Sequence, residues 1–455
     1  MKLSLDRFRG TFLKSLTILA SGSLIAQALV AVEQLCLTRI FSPETLGIYA
    51  FLIAFPHACI GMICGRYDLA IVYEEDESKV FSLIKLTFVI NLALSTVLSL
   101  GYAGYIFFFR PEYREFIYLI PAVFVYLVSY GLTLTLNSYN NRNGQYKMIT
   151  KMHMLRTFVQ CFGTVCLGLI FVVFLKLDSV QVGVPIVLVP YCAGMFFGVF
   201  TQGKGLFNHW KEIKAITPKE LWEVALKHKK QPLVSAPAIF ANGYSYSLVT
   251  MNMDSLYGEA TTGYYSLSTK LLGMPISLIS GNISKVYMEE AAKEYNATGK
   301  FKKAFNKTFM FLFVIALPMF LCIYLFAPSV CAWLFGGEEW RIAGEYIKIL
   351  TPMFAMRFIA TALSPGLYVC RKQTAELVVQ MLLMAATALV GFLSIILHFD
   401  VAQFLWGICI ARTCVMLLQT LAVFYYSRGA HCRGSKARKH LVVKGEEAYV
   451  DNEKN

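Results

Sequence analysis

Charged residues are scarce in this chain. They make up 15% of its 455 residues, whereas hydrophobic residues make up 57%. An ordinary soluble domain carries about 25% charged residues, so the composition excludes that class and indicates a polytopic membrane protein. The formal net charge of +14 does not indicate a nucleic-acid partner, because the basic residues lie in short loops between apolar runs.

The sequence motifs of several enzyme classes are missing as well. There is no G-x-x-x-x-G-K-[ST] phosphate loop, no H-E-x-x-H motif and no cluster of Cys and His residues. Most of the twelve cysteines fall within apolar runs, where Cys behaves as a small hydrophobe, and they form no disulfide pattern. We therefore predict a protein that is not an enzyme, with no catalytic residue, no metal site and no resident cofactor.

Long apolar runs dominate what the chain does contain. The first run follows a basic segment and lacks a small-residue cleavage site, so we expect an uncleaved first helix. The pattern predicts twelve membrane spans, near residues 15–37, 46–65, 81–109, 115–137, 153–175, 180–201, 231–252, 263–284, 306–327, 342–365, 375–397 and 403–426. The predicted fold is therefore all-α, with about twelve transmembrane helices.

Lys and Arg residues alternate with these spans. The side that holds both termini carries 32 of them between the spans, and the other side carries five. The positive-inside rule places both termini in the cytoplasm. The acidic run at residues 74–78 lies on the same side and is expected to be a solvated loop.

The basic segment at residues 202–230, which we call the elbow, divides the spans into two sets of six. We predict an N-terminal lobe at residues 1–201, the elbow, a C-terminal lobe at 231–427 and a basic cytoplasmic tail at 428–455. Thr217, Pro218 and Glu220 form a helix-start signature with a capping box. A short helix should follow, with an apolar stripe and exposed lysines, either lying on an anionic membrane surface or solvated as a basic loop.

A weak internal repeat relates the two halves. Gly47 and Tyr49 match Gly263 and Tyr265 at a shift of 216 residues, and each pair is followed by a proline, Pro56 or Pro275. Both pairs follow the first span of their lobe. The match in position and orientation favours a parallel repeat of two six-helix lobes.

Four stretches carry a family resemblance. They are LTRIFSPETLGIYA at residues 37–50, RYDLAIVYEEDE at 66–77, NRNGQYKMITKMHMLR at 141–156 and the stretch 232–279 from PLVSAPAIF to LLGMPISLI. Through them, and through the twelve-helix layout, the chain resembles the Wzx-type oligosaccharide flippases of the multidrug/oligosaccharidyl-lipid/polysaccharide exporter (MOP) superfamily.

The resemblance implies two lobes around a central cavity that opens alternately to each membrane face. It implies an undecaprenyl-diphosphate-linked oligosaccharide as cargo, moved across the bacterial cytoplasmic membrane for O-antigen, capsule or exopolysaccharide assembly. A polysaccharide polymerase and chain-length machinery would then be partners.

Polar residues inside the spans are candidates for a cavity wall, because a polar headgroup crossing the bilayer needs a wet path. Ser23, Gln27, Gln34 and Thr38 share one face of the first helix, and Ser235, Asn242, Tyr246 and Thr250 share one face of the seventh. Interhelical hydrogen bonding inside a packed lobe is the alternative for each residue.

Charged residues inside spans are costly and so indicate function. Arg412 lies deepest, whereas Arg357 and Lys270 lie near enough to span ends to reach an interface instead. Cationic groups suit a diphosphate or an acidic sugar. Glu33, the one carboxylate well inside a span, either couples transport to H⁺ or Na⁺ or pairs with an arginine of another helix.

Two other functions remain open. A cation-coupled multidrug exporter would bind hydrophobic cations and depend on Glu33. A membrane enzyme that polymerises or modifies lipid-linked glycan would need a catalytic carboxylate or His on the outer face, where the loops are short.

Overall fold

Helices account for nearly all of the residues that the computed structural model describes, which are 22, 24–177, 179–370 and 372–429. The helices are α1 (24–40), α2 (Pro43–Cys59), α3 (Asp68–Tyr73), α4 (Glu77–Phe109), α5 (Ile120–Arg142), α6 (Tyr146–Gly168), α7 (Val180–Phe207), α8 (Trp210–Ala215), α9 (Pro218–Lys227), α10 (Ala236–Tyr257), α11 (Glu259–Pro275), α12 (Gly281–Thr298), α13 (Lys302–Leu334), α14 (Arg341–Leu363), α15 (Pro365–Val369), α16 (Gln373–Leu397) and α17 (Val401–Ser427). The start of the first predicted span, Ser23, Arg371 and the tail from residue 430 lie outside the described residues.

The prediction of an all-α, polytopic membrane protein is confirmed. Among the described residues, eight helical segments are long and apolar enough to cross a membrane, built on α4, α5, α6, α7, α13, α14, α16 and α17. The helices at four other predicted spans, α1, α2, α10 and α11, are shorter or more polar; α2 and α11 have 17 residues each. All four line the central cavity described below.

The two lobes meet along α2, which packs on α7 of the first lobe and on α10 and α11 of the second. Gly47 faces the start of α11 so closely that a Cβ would lie 1.9 Å from the Glu259 carbonyl oxygen. A Cβ on Gly263 would lie 2.0 Å from the carbonyl oxygen of Pro43, at the start of α2. Because Pro43 and Glu259 are also 216 residues apart, the contact is reciprocal, as between copies related by a two-fold axis. We call it the α2–α11 crossing.

The elbow packs on the first lobe at the end of the bundle opposite the α2–α11 crossing. Its capping box is confirmed, since the Thr217 hydroxyl accepts from the Glu220 backbone N–H and the Glu220 carboxylate accepts from Thr217. The helix α9 is anchored by Val224, which is buried in a small core with Ile213 and residues of α3 and α4. Of the apolar stripe that the sequence predicts on α9, Trp222 is 66% exposed and Leu226 51%.

Glu74 corrects the expectation that residues 74–78 form a solvated loop. Its side chain is buried, and its carboxylate accepts hydrogen bonds from Lys227 Nζ at 2.6 and 2.8 Å and lies 2.9 Å from His228 Nε2. The Lys227 bonds, followed by that of His228, lower the pKa of the Glu74 carboxyl from 4.5 to about 2. The carboxylate therefore ties the elbow to the end of α3.

We predict that Glu74→Gln releases the elbow. A hydrogen bond to a charged group contributes about 2 kcal/mol, so cleavage after Lys229 or Lys230 by trypsin should become roughly thirtyfold faster at pH 7. Because the folded-state pKa of Glu74 is lowered, its contribution is fully present above about pH 4.5 and is lost as the pH falls towards 2. Glu75→Gln, at an exposed neighbour, is the control and should leave the rate unchanged.

Candidate functional site

A central cavity of about 700 Å³ lies between the two lobes. Its walls come from α1, α2, α6 and α7 on one side and from α10, α11, α12, α14 and α17 on the other. Thr150 and His153, in the first turns of α6 at the elbow end, belong to its lining, whereas the α2–α11 crossing closes the opposite end. A space of this size, walled by both lobes and reaching one end of the bundle, suits the passage of a polar group.

Most of the residues singled out from the sequence line this cavity. They are Gln27, Glu33, Gln34, Tyr246, Lys270, Arg357 and Arg412. For Lys270 and Arg357, this placement favours a side chain that faces the cavity over one that extends to the membrane interface. Whether they bind cargo stays a prediction.

Asn242 is the exception, and the expectation that it lines the cavity is wrong. Its amide donates to Gln380 Oε1 at 2.5 Å, and Gln380 donates in turn to Glu376 at 2.6 Å. Gln419 donates to the other oxygen of Glu376 at 3.2 Å. The side chain of Asn242 therefore belongs to a polar network between α10, α16 and α17 rather than to the cavity wall.

Two further cations line the cavity that the sequence reasoning did not single out, Arg156 on α6 and Lys285 on α12. Arg156 is the fourth residue of the predicted span at 153–175. A charged residue inside a span indicates function, so this position could have marked Arg156 as a cavity candidate from the sequence. From the sequence, Lys285 counts with the cytoplasmic loops, because the predicted span ends at residue 284. In the structure, α11 continues into α12 beyond that residue, so Lys285 lies within a helix.

Among the described residues of the cavity wall, five are cationic and one, Glu33, is a carboxylate. Glu33 is 4% exposed and accepts a hydrogen bond from the Cys161 thiol at 3.3 Å. The alternative that it pairs with an arginine is wrong within the described chain, where no ion pair of Glu33 is present; Lys270 instead donates to the adjacent Gln34 at 3.4 Å. The cavity thus carries an excess of positive charge.

Aromatic side chains complete the wall. Tyr49 and Tyr265, which match in the internal repeat, both line the cavity, and Lys270 Nζ lies 5.3 Å from the Tyr49 ring centroid. His57 Nδ1 lies 3.2 Å from the Tyr126 hydroxyl, and a hydrogen bond between them holds the ring of His57 in place. In the described chain no group of three or more His, Cys, Asp and Glu is arranged to hold a metal ion.

Helical lobes around a cationic cavity define the class of protein as a multi-pass membrane protein with a transporter fold. Residues 239–343 match the model of a family described as "Polysaccharide biosynthesis protein". A comparison with curated protein sequences finds no match.

Solved structures share this fold over nearly the whole chain. An inward-facing multidrug resistance MATE transporter of the MOP superfamily matches with 16% identity and a TM-score of 0.62, covering 92% of this chain and all of its own. The lipid II flippase MurJ, in an inward closed conformation, matches with 11% identity and a TM-score of 0.67, covering 90% of this chain and 87% of its own. A Pyrococcus furiosus MOP-superfamily transporter, described as having a binding pocket of reversed polarity, matches with 13% identity and a TM-score of 0.58, covering 91% of this chain and 95% of its own. The chain therefore has the fold of the MOP-superfamily transporters.

Proposed function

We propose that this protein translocates an undecaprenyl-diphosphate-linked oligosaccharide from the inner to the outer leaflet of the bacterial cytoplasmic membrane. The observation that carries the proposal is the charge of the cavity, with five cationic side chains and one carboxylate in its described wall. A diphosphate brings negative charge to this space, and the sugar brings hydroxyl groups that Gln and Tyr side chains bind well.

The same charge argues against a multidrug exporter for hydrophobic cations. A cationic drug about 8 Å from a fixed arginine meets a repulsion of roughly 2 kcal/mol at an effective dielectric constant near 20. With five cations and a single carboxylate among the described residues of the wall, the repulsion outweighs the attraction. The polysaccharide-biosynthesis family match over residues 239–343 and the fold shared with a lipid II flippase support the flippase proposal.

The path of the cargo follows from alternating access. With both termini and the elbow in the cytoplasm, as the positive-inside rule predicts, the cavity opens towards the cytoplasm and the α2–α11 crossing closes it to the outside. O-antigen, capsule and exopolysaccharide are the candidate products, and a polymerase with its chain-length machinery would receive the translocated repeat unit.

Deleting the gene in its host tests the function. If complete lipid-linked repeat units accumulate, stay protected from probes outside the membrane and the surface polymer disappears, flipping is the function. Unchanged glycans together with retention of cationic drugs would overturn the proposal in favour of drug export. Polymer lost while the repeat units do reach the outer leaflet would indicate an enzyme acting after translocation.

Coupling to an ion is the second part of the proposal, and Glu33 is its candidate. We predict that Glu33→Gln lowers the rate of translocation in proteoliposomes about tenfold and removes its dependence on an imposed H⁺ or Na⁺ gradient, because the amide cannot gain or lose a proton or balance a cation. Cargo affinity should not fall, because the substitution removes negative charge from the wall that faces an anionic cargo.

The effect of Glu33→Gln is compared with that of Glu376→Gln, which changes another buried carboxylate, held by Gln380 and Gln419. If Glu376→Gln removes the gradient dependence and Glu33→Gln does not, coupling lies in the second lobe and the assignment to Glu33 is wrong.

A further inference from the structure

Tyr246 carries two guanidinium groups against one aromatic ring. The Arg412 guanidinium carbon lies 3.7 Å from the ring centroid, and that of Arg357 lies 4.1 Å from it. The three side chains come from α17, α14 and α10, and all line the cavity. Two like charges are therefore held within about 8 Å of each other, an arrangement that repels unless an anion accompanies it.

Arg412 is held by the protein through both of its terminal nitrogens. It is 1% exposed, its Nη1 donates to the Ser245 carbonyl at 2.9 Å and to Thr387 Oγ1 at 3.3 Å, and its Nη2 donates to Ser245 Oγ at 3.4 Å. Its buried Nε has no partner within the described chain. A guanidinium fixed in this way cannot turn towards a passing ligand, but it fixes the ring of Tyr246 on which it lies.

Arg357 is the opposite case. It is half-buried, and in the described chain no hydrogen bond or ion pair engages its guanidinium, which instead lies over Tyr246 and 5.4 Å from the centroid of Phe354. Contact with aromatic faces holds the plane of a guanidinium without using its N–H donors. Its five donors are therefore available to the cavity in a geometry that matches a phosphate.

No carboxylate of the described residues balances this pair. The one carboxylate that lines the cavity in the described structure, Glu33, is bonded to Cys161 of α6, and Lys270 lies beside it at Gln34. Within the part of the chain that the structure describes, the stack of Arg357, Tyr246 and Arg412 is thus a cationic site with free donors and no counter-charge.

We propose that Arg357 is the direct ligand of the diphosphate of the cargo and that Arg412 is a positioning residue acting through Tyr246. The assignment rests on the proposed function for the identity of the cargo. The sequence alone favours Arg412 as the residue that contacts cargo, because it lies deepest within its span; the proposal instead gives that contact to Arg357.

Binding to the purified protein in nanodiscs tests the site. Geranylgeranyl diphosphate is the probe, geranylgeraniol the uncharged control, inorganic pyrophosphate the soluble source of the same group and glucuronate the acidic-sugar alternative. Wild type should bind the lipid diphosphate with submillimolar affinity and geranylgeraniol at least tenfold more weakly. Arg357→Ala should weaken diphosphate binding about fiftyfold, because a bidentate charged contact is lost.

Lys348→Ala is the matched control. Lys348 lies on the same helix α14, with its ammonium 5.4 Å from the Tyr324 ring centroid and outside the cavity wall. This variant should bind within twofold of wild type. An equal loss in both variants would show a general effect of charge on the helix and would overturn the assignment.

A double-mutant comparison separates the two arginines. Arg412→Gln should weaken binding about tenfold alone but have no further effect when Arg357 is already alanine, because it acts only through Arg357. Additive losses would make Arg412 a second direct ligand and overturn its positioning role. If Arg412→Gln does not fold, Tyr246→Leu gives the same test, and Tyr246→Phe, which keeps the ring, should lose less.

The readouts separate the site from the proposed function. Diphosphate binding that depends on Arg357 without translocation in proteoliposomes would leave the site standing and overturn the flippase proposal. Translocation with no diphosphate binding, or with glucuronate binding in its place, would overturn the site and leave translocation standing.

Discussion

Leucine in place of Gly47 or Gly263 is expected to lower translocation at least about a hundredfold. The Cβ of either residue would fall 1.9 to 2.0 Å from a backbone carbonyl oxygen of the facing helix, so α2 and α11 cannot keep their present distance. Overpacking against backbone costs about 3 kcal/mol or more, which is a hundredfold in the population of the closed arrangement. Because the two contacts are reciprocal, either substitution alone should suffice.

Proteoliposome assays and labelling together check this result. A cysteine is placed at the cavity residue Ser266 in a cysteine-free background. In the Gly47→Leu variant, but not with glycine at position 47, an impermeant maleimide should reach this cysteine from the side of the α2–α11 crossing. Gly104→Leu is the matched control, because nothing lies within 4 Å of a Cβ at that position of α4. A Gly47→Leu protein that transports like Gly104→Leu would show that the cavity does not need this crossing for its closure.

Loss of Arg110 is expected to open the same end of the bundle by a different route. Arg110, at the end of α4, donates to the carboxylate of Asp254 near the end of α10, and Tyr113 donates to the other oxygen at 2.7 Å. The Asp254 side chain is completely buried, so Arg110→Ala leaves a buried carboxylate without its cation. Breaking such a pair costs about 3 to 5 kcal/mol, enough to lower the population of the closed state by roughly two to almost four orders of magnitude.

The exposed partner of the same arginine supplies the control. Glu112 accepts from Arg110 Nε at 2.5 Å, but its side chain is 46% exposed. Glu112→Gln should cost less than about 1 kcal/mol, because water competes for an exposed pair. Distances between spin labels on the two lobes, together with thermal unfolding, measure both effects. Equal effects of Arg110→Ala and Glu112→Gln would refute a lock based on the buried pair.

Closure at one end and charge in the middle fit the proposed translocation of an anion. The α2–α11 crossing and the Arg110–Asp254 pair hold the lobes together at one end, while the wall between them presents cations. Under this proposal, an anion entering from the elbow end would balance the charge of Arg357 and of the other cavity cations. Alternating access would then require the crossing and the ion pair to break, and their combined strength would limit how often the lobes reorient.

Much of this was readable from composition and periodicity. Scarce charge and long apolar runs predicted the helical membrane fold, because a backbone in lipid must satisfy its hydrogen bonds within helices. Charged residues inside spans marked Glu33, Lys270, Arg357 and Arg412 as candidates for the cavity, because burial against lipid is costly for them, although a reach to the interface stayed open for Lys270 and Arg357. The repeat of Gly47 at Gly263 pointed to a parallel repeat of two lobes.

Tertiary packing decided the remainder, because partners distant in sequence set what each polar side chain does. Asn242 shares a helix face with Tyr246, yet Gln380 takes its amide into a separate network. Glu74 reads as part of a solvated acidic run until Lys227 and His228, more than 150 residues away, bury it. From the sequence, Arg412 is the deeper of the two arginines and the first candidate for contact with cargo, whereas in the structure Ser245 and Thr387 hold its guanidinium and no side chain of the described residues bonds that of Arg357.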